Sequence, residues 1–487
     1  MLKRILLLSA LAISLSAFEL PATPAGLTSV TTYAQVSEFV KSMESGENFT
    51  VSSAGQSIEG RELWLVQVGE SDAPWRIFLY GQQHGNEVAG KEALLFLLRD
   101  IHDGTLKLPR GVALWVIPMV NPDGGEVDRR RNSAGADLNR DHTTLLQPET
   151  QALHTLARNI QPHISIDCHE FGRDSDDYLA QDWLEWPDIM MGHANNPLFD
   201  DRVVQLGEDF IKRVAPQMER SGINFSRYYV GDAPPLGELR YSAPDLDDAR
   251  NGIGSYGGLS FIIESGVYRN PPRAGTDLGA RVQAYSILLR AVINDKVLRK
   301  TGPHMIASAR QPRLPDWVPT NYFWGRQESD PASIRVMDLS TGATQWTAAP
   351  NLMPRLIIKQ SVARPTAYYI SAEASVLFTQ LLDNHQIEYE IIDTPRQVEL
   401  QTCRADTLET RYDERYNRYA GRMWATADSV GLATLEPGGL LVPVKGLTGL
   451  RTIGLLEPLQ LYGLYQYDQF HNLIDGEDRL PVYRVFY

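Results

Sequence analysis

Arg76-Ile77-Phe78-Leu79-Tyr80-Gly81-Gln82-Gln83-His84-Gly85-Asn86-Glu87 joins two patterns of different period. An apolar, β-prone run stops at Gly81, and His84 and Glu87 follow, three residues apart. Beyond them the period changes: Val88, Leu94, Leu95, Leu97 and Leu98 stand among polar residues at helical spacing. His84 and Glu87 therefore lie where a strand hands over to a helix. In an open α/β sheet, ligands bind at this carboxyl end of the strands. An imidazole beside a carboxylate there suits one divalent metal, and zinc is the usual choice for such ligands in a hydrolase. By itself the tetrapeptide decides little, because a Glu in the first turn of a helix is also favoured by the helix dipole.

Outward from that stretch, the pattern predicts a helix over 31–46 and strands at 49–51 and 63–68, joined by Ser57-Ile58-Glu59-Gly60-Arg61. A helix is expected over 86–100 and a buried strand over 112–118, ending in the turn signal Asn121-Pro122-Asp123-Gly124. The polar loop Asp128-Arg129-Arg130-Arg131-Asn132 and then Asp137-Leu138-Asn139-Arg140-Asp141 precede a helix at 148–159. A third strand at 163–168 ends in His169-Glu170, and a fourth at 259–263 carries Glu264. Between them, 171–258 holds a helix near 201–220 and many Pro, Gly, Asp and Tyr residues, read as long loops around a cleft. A helix over 276–300 closes this part. Alternating strands and helices predict an α/β fold with a mainly parallel or mixed sheet flanked by helices.

Composition shifts near Thr301-Gly302-Pro303. The remainder reads as a smaller α+β or β-rich domain, with strands at 356–358, 368–370, 440–443, 453–456 and 483–486 and a helix at 373–383. A length of 487 residues fits two domains. The expected division is a signal peptide at 1–17, a catalytic domain at 18–301 and an accessory domain at 302–487. The signal reading rests on Lys3 and Arg4, the short apolar run Ile5 to Leu15, and the small residues Ser14, Ser16 and Ala17. That run is shorter than the ~20 residues a membrane span needs. The protein is expected to be exported, periplasmic or secreted, with no span after signal removal.

A composition of 43% hydrophobic and 22% charged residues is ordinary for a globular protein. The formal net charge of −14 argues against nucleic acid as a partner. Export permits a disulfide, but Cys168 and Cys403 fall in different expected domains and are read as two buried thiols.

Four strand ends now present polar residues. His169 joins His84 and Glu87 in a two-His, one-carboxylate set that leaves a fourth position for water, as catalytic zinc requires. Glu264 closes an apolar strand, a costly place for an unpaired acid. The ordered run HGNE, NPDG, the Arg-rich loop, DLNRD, a strand-terminal His and a later strand-terminal Glu resembles the zinc carboxypeptidase family, the relatives of carboxypeptidases A and B, over about residues 45–270.

That resemblance implies one zinc per chain, bound by His84, Glu87 and His169. Glu264 would be the general base, and Arg130 would stabilise the oxyanion. Asn139 and Arg140 would grip the free C-terminal carboxylate of a peptide substrate, and Asp137 would hold the far nitrogen of His84. The family's substrate-contacting Tyr corresponds to Tyr241 by distance or to Tyr256 by proximity. In Asp247-Asp248-Ala249-Arg250-Asn251, Arg250 is either a further carboxylate clamp or a structural ion pair, and Asp247 or Asp248 would favour a basic terminal residue. His102, His142, His154, His163 and His193 are read as structural. Alternatives to the peptidase are a zinc-dependent deacylase of N-acyl amino acids, a murein-peptide amidase, and a non-catalytic peptide-binding module. The NPDG turn and the appended domain favour the peptidase, and the presence of both the metal set and Glu264 disfavours the binding module.

Overall fold

The structure, a computed structural model, describes residues 19–235, 237–271, 275–413, 418–474 and 476–487. The expected signal peptide at 1–17 lies outside the described residues. Among them, no helix is long and apolar enough to cross a membrane.

One eight-stranded sheet carries the site. Its strands are β1 (Phe49–Gln56), β2 (Glu62–Val68), β3 (Trp75–Gly81), β4 (Val112–Ile117), β5 (Ile164–Gly172), β7 (Ile189–His193), β8 (Phe225–Arg227) and β11 (Leu259–Val267). The short strands β6 (Trp183–Glu185), β9 (Val230–Gly231) and β10 (Leu239–Arg240) stand outside it. The spatial order is β1-β2-β4-β3-β5-β11-β7-β8. The centre, β4-β3-β5-β11, is parallel, whereas β1, β2 and β7 join their inner neighbours antiparallel. The sheet is thus mixed with a parallel core, as the alternating pattern predicts.

Side-chain alternation explains why the parallel strands read as unbroken apolar runs. Ile77, Leu79, Leu114, Val116, Ile164, Ile166 and Cys168 fill the core on one face. Phe78, Tyr80, Ala113, Trp115 and Ile117 fill the other. The helices are α1 (Tyr33–Ser42), α2 (Ala89–His102), α3 (Pro122–Glu126), α4 (Pro148–Ile160), α5 (Asp176–Leu179), α6 (Asp201–Arg220), α7 (Ala249–Gly254), α8 (Leu278–Asn294) and α9 (Lys296–Ala309). Residues of α2, α6, α8 and α9 pack on the first face, and residues of α4 and α7 on the second. The single helix expected over 276–300 is two, because Asp295 takes an extended conformation and its side chain accepts from Leu298 N to cap α9. Helix α9 runs through the composition break at 301–303.

The later residues are β-rich: β12 (Trp317–Gly325), β13 (Ser333–Asp338), β14 (Thr344–Ala348), β15 (Leu352–Met353) and β16 (Arg355–Ala363), followed by α10 (Ser375–His385) and a six-stranded sheet that includes Ala367–Ile370, Leu440–Pro443 and Val482–Phe486. The strand expected at 453–456 is instead the end of a helix, Gly446–Leu456. Gly449 to Ile453, Leu455 and Leu456 are all buried there, so this helix is covered on most sides and its apolar end shows no strand alternation. Two pairings tie this region to the first: β13 lies antiparallel to β6, and β15 lies parallel to β10. Cys168 and Cys403 are both free and buried.

Candidate functional site

The C-terminal ends of β3 and β5 meet at the site. At the end of β3, Gln82 adopts a left-handed backbone (φ 57°), and its side-chain amide donates to Gly85 O at 2.7 Å. The loop then presses on the 121–125 turn so closely that a Cβ on Gly85 would lie 2.2 Å from the carbonyl carbon of Gly124. This holds His84 and Glu87 inward before α2 begins. The N-terminus of α2 is satisfied by Glu170, whose carboxylate accepts from Ala89 N at 2.9 Å and pairs with Arg281.

His84, Glu87 and His169 are all buried, and one ligand atom from each lies within 4.8 Å of the others. His84 Nδ1 is 2.9 Å from Glu87 Oε1, His169 Nδ1 is 2.9 Å from Glu87 Oε2, and the two Nδ1 atoms are 3.0 Å apart. The outer nitrogens face carboxylates: His84 Nε2 is 3.1 Å from Asp137 Oδ1, and His169 Nε2 is 2.7 Å from Asp167 Oδ2. An ionised carboxylate only accepts, so Asp137 and Asp167 can each take a proton carried on Nε2, and each ring in its neutral form then presents the Nδ1 lone pair inward. Two imidazole nitrogens and a carboxylate converge there. That donor set fits a divalent cation with N/O ligands, and each imidazole has the carboxylate partner that metal-binding histidines use. Burial opposes the charge on Glu87, yet His84 and His169 hold its carboxyl well below the usual range. Burial likewise opposes the charge on His169, while Asp167 and Glu87 push the imidazole well upward, so one positive charge, a ring proton or a cation in its place, is favoured at this point.

Glu264 stands beside this group. In the sheet it pairs in register with His169 on β5 and with Met190 on β7. It is buried, and burial with Glu87 nearby outweighs His169, Tyr228 and Arg130 to raise its carboxyl to about 7. Arg130 approaches from the Arg-rich loop: its Nε donates to Asp137 Oδ2 at 2.9 Å and its Nη1 to Glu87 Oε1 at 3.2 Å. Asn139 sits with Nδ2 3.2 Å from His169 Nε2, and its Oδ1 accepts from Ala249 N at 2.8 Å. Arg140 lies 3.9 Å from Asp247. Asp245 is pushed well above the usual range by burial and by Asp247 and Asp248.

The remaining expected residues are placed as follows. Arg250 is a buried ion-pair partner of Asp248 (2.8 Å), and Asp248 also caps α7. Tyr256 turns its hydroxyl to His154 Nδ1 at 2.9 Å, and Tyr241 stacks under the Arg227 guanidinium at 3.7 Å. The tyrosine that reaches Glu264 is Tyr228, whose hydroxyl is raised well above its ordinary value by burial and by that carboxylate. Sequence reasoning missed it, since nothing local marks it. It also missed Asp167, although Asp167 and His169 are two apart on one strand and so share a face.

Residues 37–173 match the family model described as zinc carboxypeptidase, which bears out the family read from the motifs over that stretch. Carboxypeptidase 2 of Trichophyton rubrum is 31% identical over 233 residues, covering 45% of this chain and 42% of the relative. Carboxypeptidase SOL1 of Arabidopsis thaliana is 34% identical over 137 residues, covering 24% of this chain and 28% of the relative. The chain therefore spans less than half the length of these curated relatives. Among solved structures, carboxypeptidase A of Helicoverpa armigera aligns over 59% of this chain and 76% of its own, at 17% identity and a TM-score of 0.43.

Proposed function

We propose that this chain, with its zinc carboxypeptidase match over 37–173, is an exported zinc-dependent carboxypeptidase that hydrolyses C-terminal peptide bonds. The observation that carries the reading is the convergence of two imidazole Nδ1 atoms and the Glu87 carboxylate beside Glu264. Zinc, when bound by His84, Glu87 and His169, supplies Lewis acidity that polarises a carbonyl and lowers the pKa of water to about 7. Glu264 takes the proton from the attacking water and passes it to the leaving amine, and the Tyr228 hydroxyl orients its carboxylate. Arg130 presents a guanidinium where negative charge develops. Asn139 and Arg140 hold the substrate's terminal carboxylate, for which a guanidinium is a matched fork. Arg140 then exchanges its long contact with Asp247 for that ligand. Asp247, with a positive partner already beside it, supports a basic terminal residue less directly than the sequence suggests.

The basic, apolar and small-residue order of 1–17 supports export to the periplasm or the medium. Residues 18–301 are read as the catalytic part and 302–487 as an accessory part docked on it through β13 and β15.

The test is mass spectrometry of paired peptides, identical except for a free or amidated C-terminus, incubated with the zinc-loaded protein. Stepwise loss from the free C-terminus alone is expected. Equal cleavage of both would remove the carboxypeptidase reading, and release of acyl groups from N-acyl amino acids without peptide ladders would favour the deacylase.

A further inference from the structure

Behind the site runs a buried line of polar side chains that the proposed chemistry does not use. His169 Nε2 donates to Asp167 Oδ2 at 2.7 Å, and Gln83 Nε2 donates to the same oxygen at 2.8 Å. Gln83 Oε1 is 2.9 Å from His142 Nε2, and His142 Nδ1 is 3.0 Å from His154 Nε2. His154 Nδ1 is 2.9 Å from the Tyr256 hydroxyl, which accepts from Arg158 Nη1 at 3.1 Å. Gln83, Asp167, His142 and His154 are each no more than 1% exposed.

Asp167 sets the direction of this line. Its carboxylate only accepts, so Gln83 turns its NH₂ toward it and leaves Oε1 to accept from His142 Nε2. A neutral His142 then accepts at Nδ1 from His154 Nε2. A neutral His154 accepts in turn at Nδ1 from the Tyr256 hydroxyl, whose oxygen also accepts from Arg158. Both rings are neutral on the same grounds of burial: His142 is pushed down to about 4 and His154 well below its ordinary value. All donors point toward Asp167, a fully buried carboxylate whose Oδ1 has no hydrogen-bond partner. Gln83 thus supplies one of the two donors on Asp167 Oδ2, and a buried carboxylate is costly without them. An amide can turn over and present its oxygen instead, and His142 is what prevents it.

We propose that Gln83, His142 and His154 are positioning residues, an oriented hydrogen-bond relay that fixes Asp167 and, through it, the ring of His169 with Nδ1 bare toward the metal. The inference rests on the zinc reading above. The later region closes the outer end of the relay. Arg158 Nη1 also donates to Asn384 O at 3.3 Å, Asn384 Nδ2 donates to Leu145 O at 3.0 Å, and His385 Nε2 donates to Thr143 O at 2.8 Å. The C-terminus of α10 therefore seals the polar line from solvent.

The test measures zinc content of the full-length protein, the rate of zinc transfer to a chromophoric chelator, and Tm on the same samples. Partners behind metal ligands are worth about 10–100-fold in metal affinity or activity, so His142→Leu should release zinc faster by that order. His142→Gln places an amide N–H where Nε2–H stands and should stay near the wild-type rate, even if Tm falls. Tyr256→Phe removes only the terminal O–H, keeps the shape, and should give a smaller acceleration in the same direction. Wild-type release rates in both His142→Leu and Tyr256→Phe would overturn the relay. Equal acceleration in His142→Leu and His142→Gln, tracking equal losses of Tm, would overturn it too, since packing alone would then explain the effect. A wild-type protein that retains no zinc would instead overturn the reading beneath it.

Discussion

His84, Glu87 and His169 come from the ends of two adjacent strands, whereas Tyr228 reaches Glu264 from just beyond β8, bonded to Met191 of β7 and packed against a cluster to which residues a hundred positions further on contribute. The first three sit on a floor of parallel strands buried on both faces. Next to Tyr228, Tyr229 packs in a separate cluster with Met190 and Leu239 from the first region and Ile334, Val336 and Leu352 from the second. The floor is made by local chain geometry plus sheet register. The wall is made by long-range docking. A metal site needs tolerances that only the first construction supplies, while a cleft wall can be contributed by an appended region and varied with it.

The sharpest break between the two is His169→Ala. It should abolish both bound zinc and turnover, and stoichiometric metal in that variant by elemental analysis would remove His169 from the ligand set. Arg140→Ala lies outside the donor set and should keep its zinc. It should lose about 2–5 kcal/mol in kcat/KM on peptides with a free C-terminus, the cost of truncating one member of a buried charge pair. An unchanged ratio of rates on free and amidated peptides would show that Arg140 does not read the carboxylate. Tyr228→Phe removes one hydrogen bond to a charged group, worth about 1.5–3 kcal/mol. Zinc should stay and kcat should fall by the corresponding order; loss of zinc would place Tyr228 with the floor.

Much of the floor was legible because its residues are contiguous or ordered along the chain. HGNE marks a strand-to-helix handover, and His169 and Glu264 each end an apolar run. Asp167 was legible in principle, two residues before His169 on the same face, but an Asp inside an apolar strand carries no label until its partner is known. Tyr228 was not legible, since its neighbours in sequence say nothing of β11. Tyr241 fitted by distance and Tyr256 by proximity; the first stacks on Arg227 and the second bonds His154. The helix Gly446–Leu456 was misread at its end because the short apolar run Ile453-Gly454-Leu455-Leu456 suits a buried strand and a buried helix alike.

Acid should weaken the fold through three buried histidines. Burial pushes His142 down to about 4 and His163 and His385 down to about 3. In the unfolded chain they take protons near 6.5, so below that pH the unfolded state binds more protons than the native one. Stability is then lost as pH falls from about 6.5 toward those values, by up to about 1.4 kcal/mol per pH unit for each group. The slope of Tm against pH between 7 and 5 should be shallower in His385→Asn than in the wild type, and an identical slope would show that His385 does not titrate between the two states.

Whether Glu264 is the general base is decided by Glu264→Gln, with bound zinc, Tm and kcat measured on one preparation. The variant keeps the shape of the side chain and cannot accept the proton. It should hold full zinc, melt at or above the wild-type Tm because a buried acid has been replaced by a neutral amide, and turn over with a kcat reduced by about 10⁴-fold, the upper end for a general acid–base group. A zinc-loaded, stably folded Glu264→Gln protein with near-normal kcat would contradict that role.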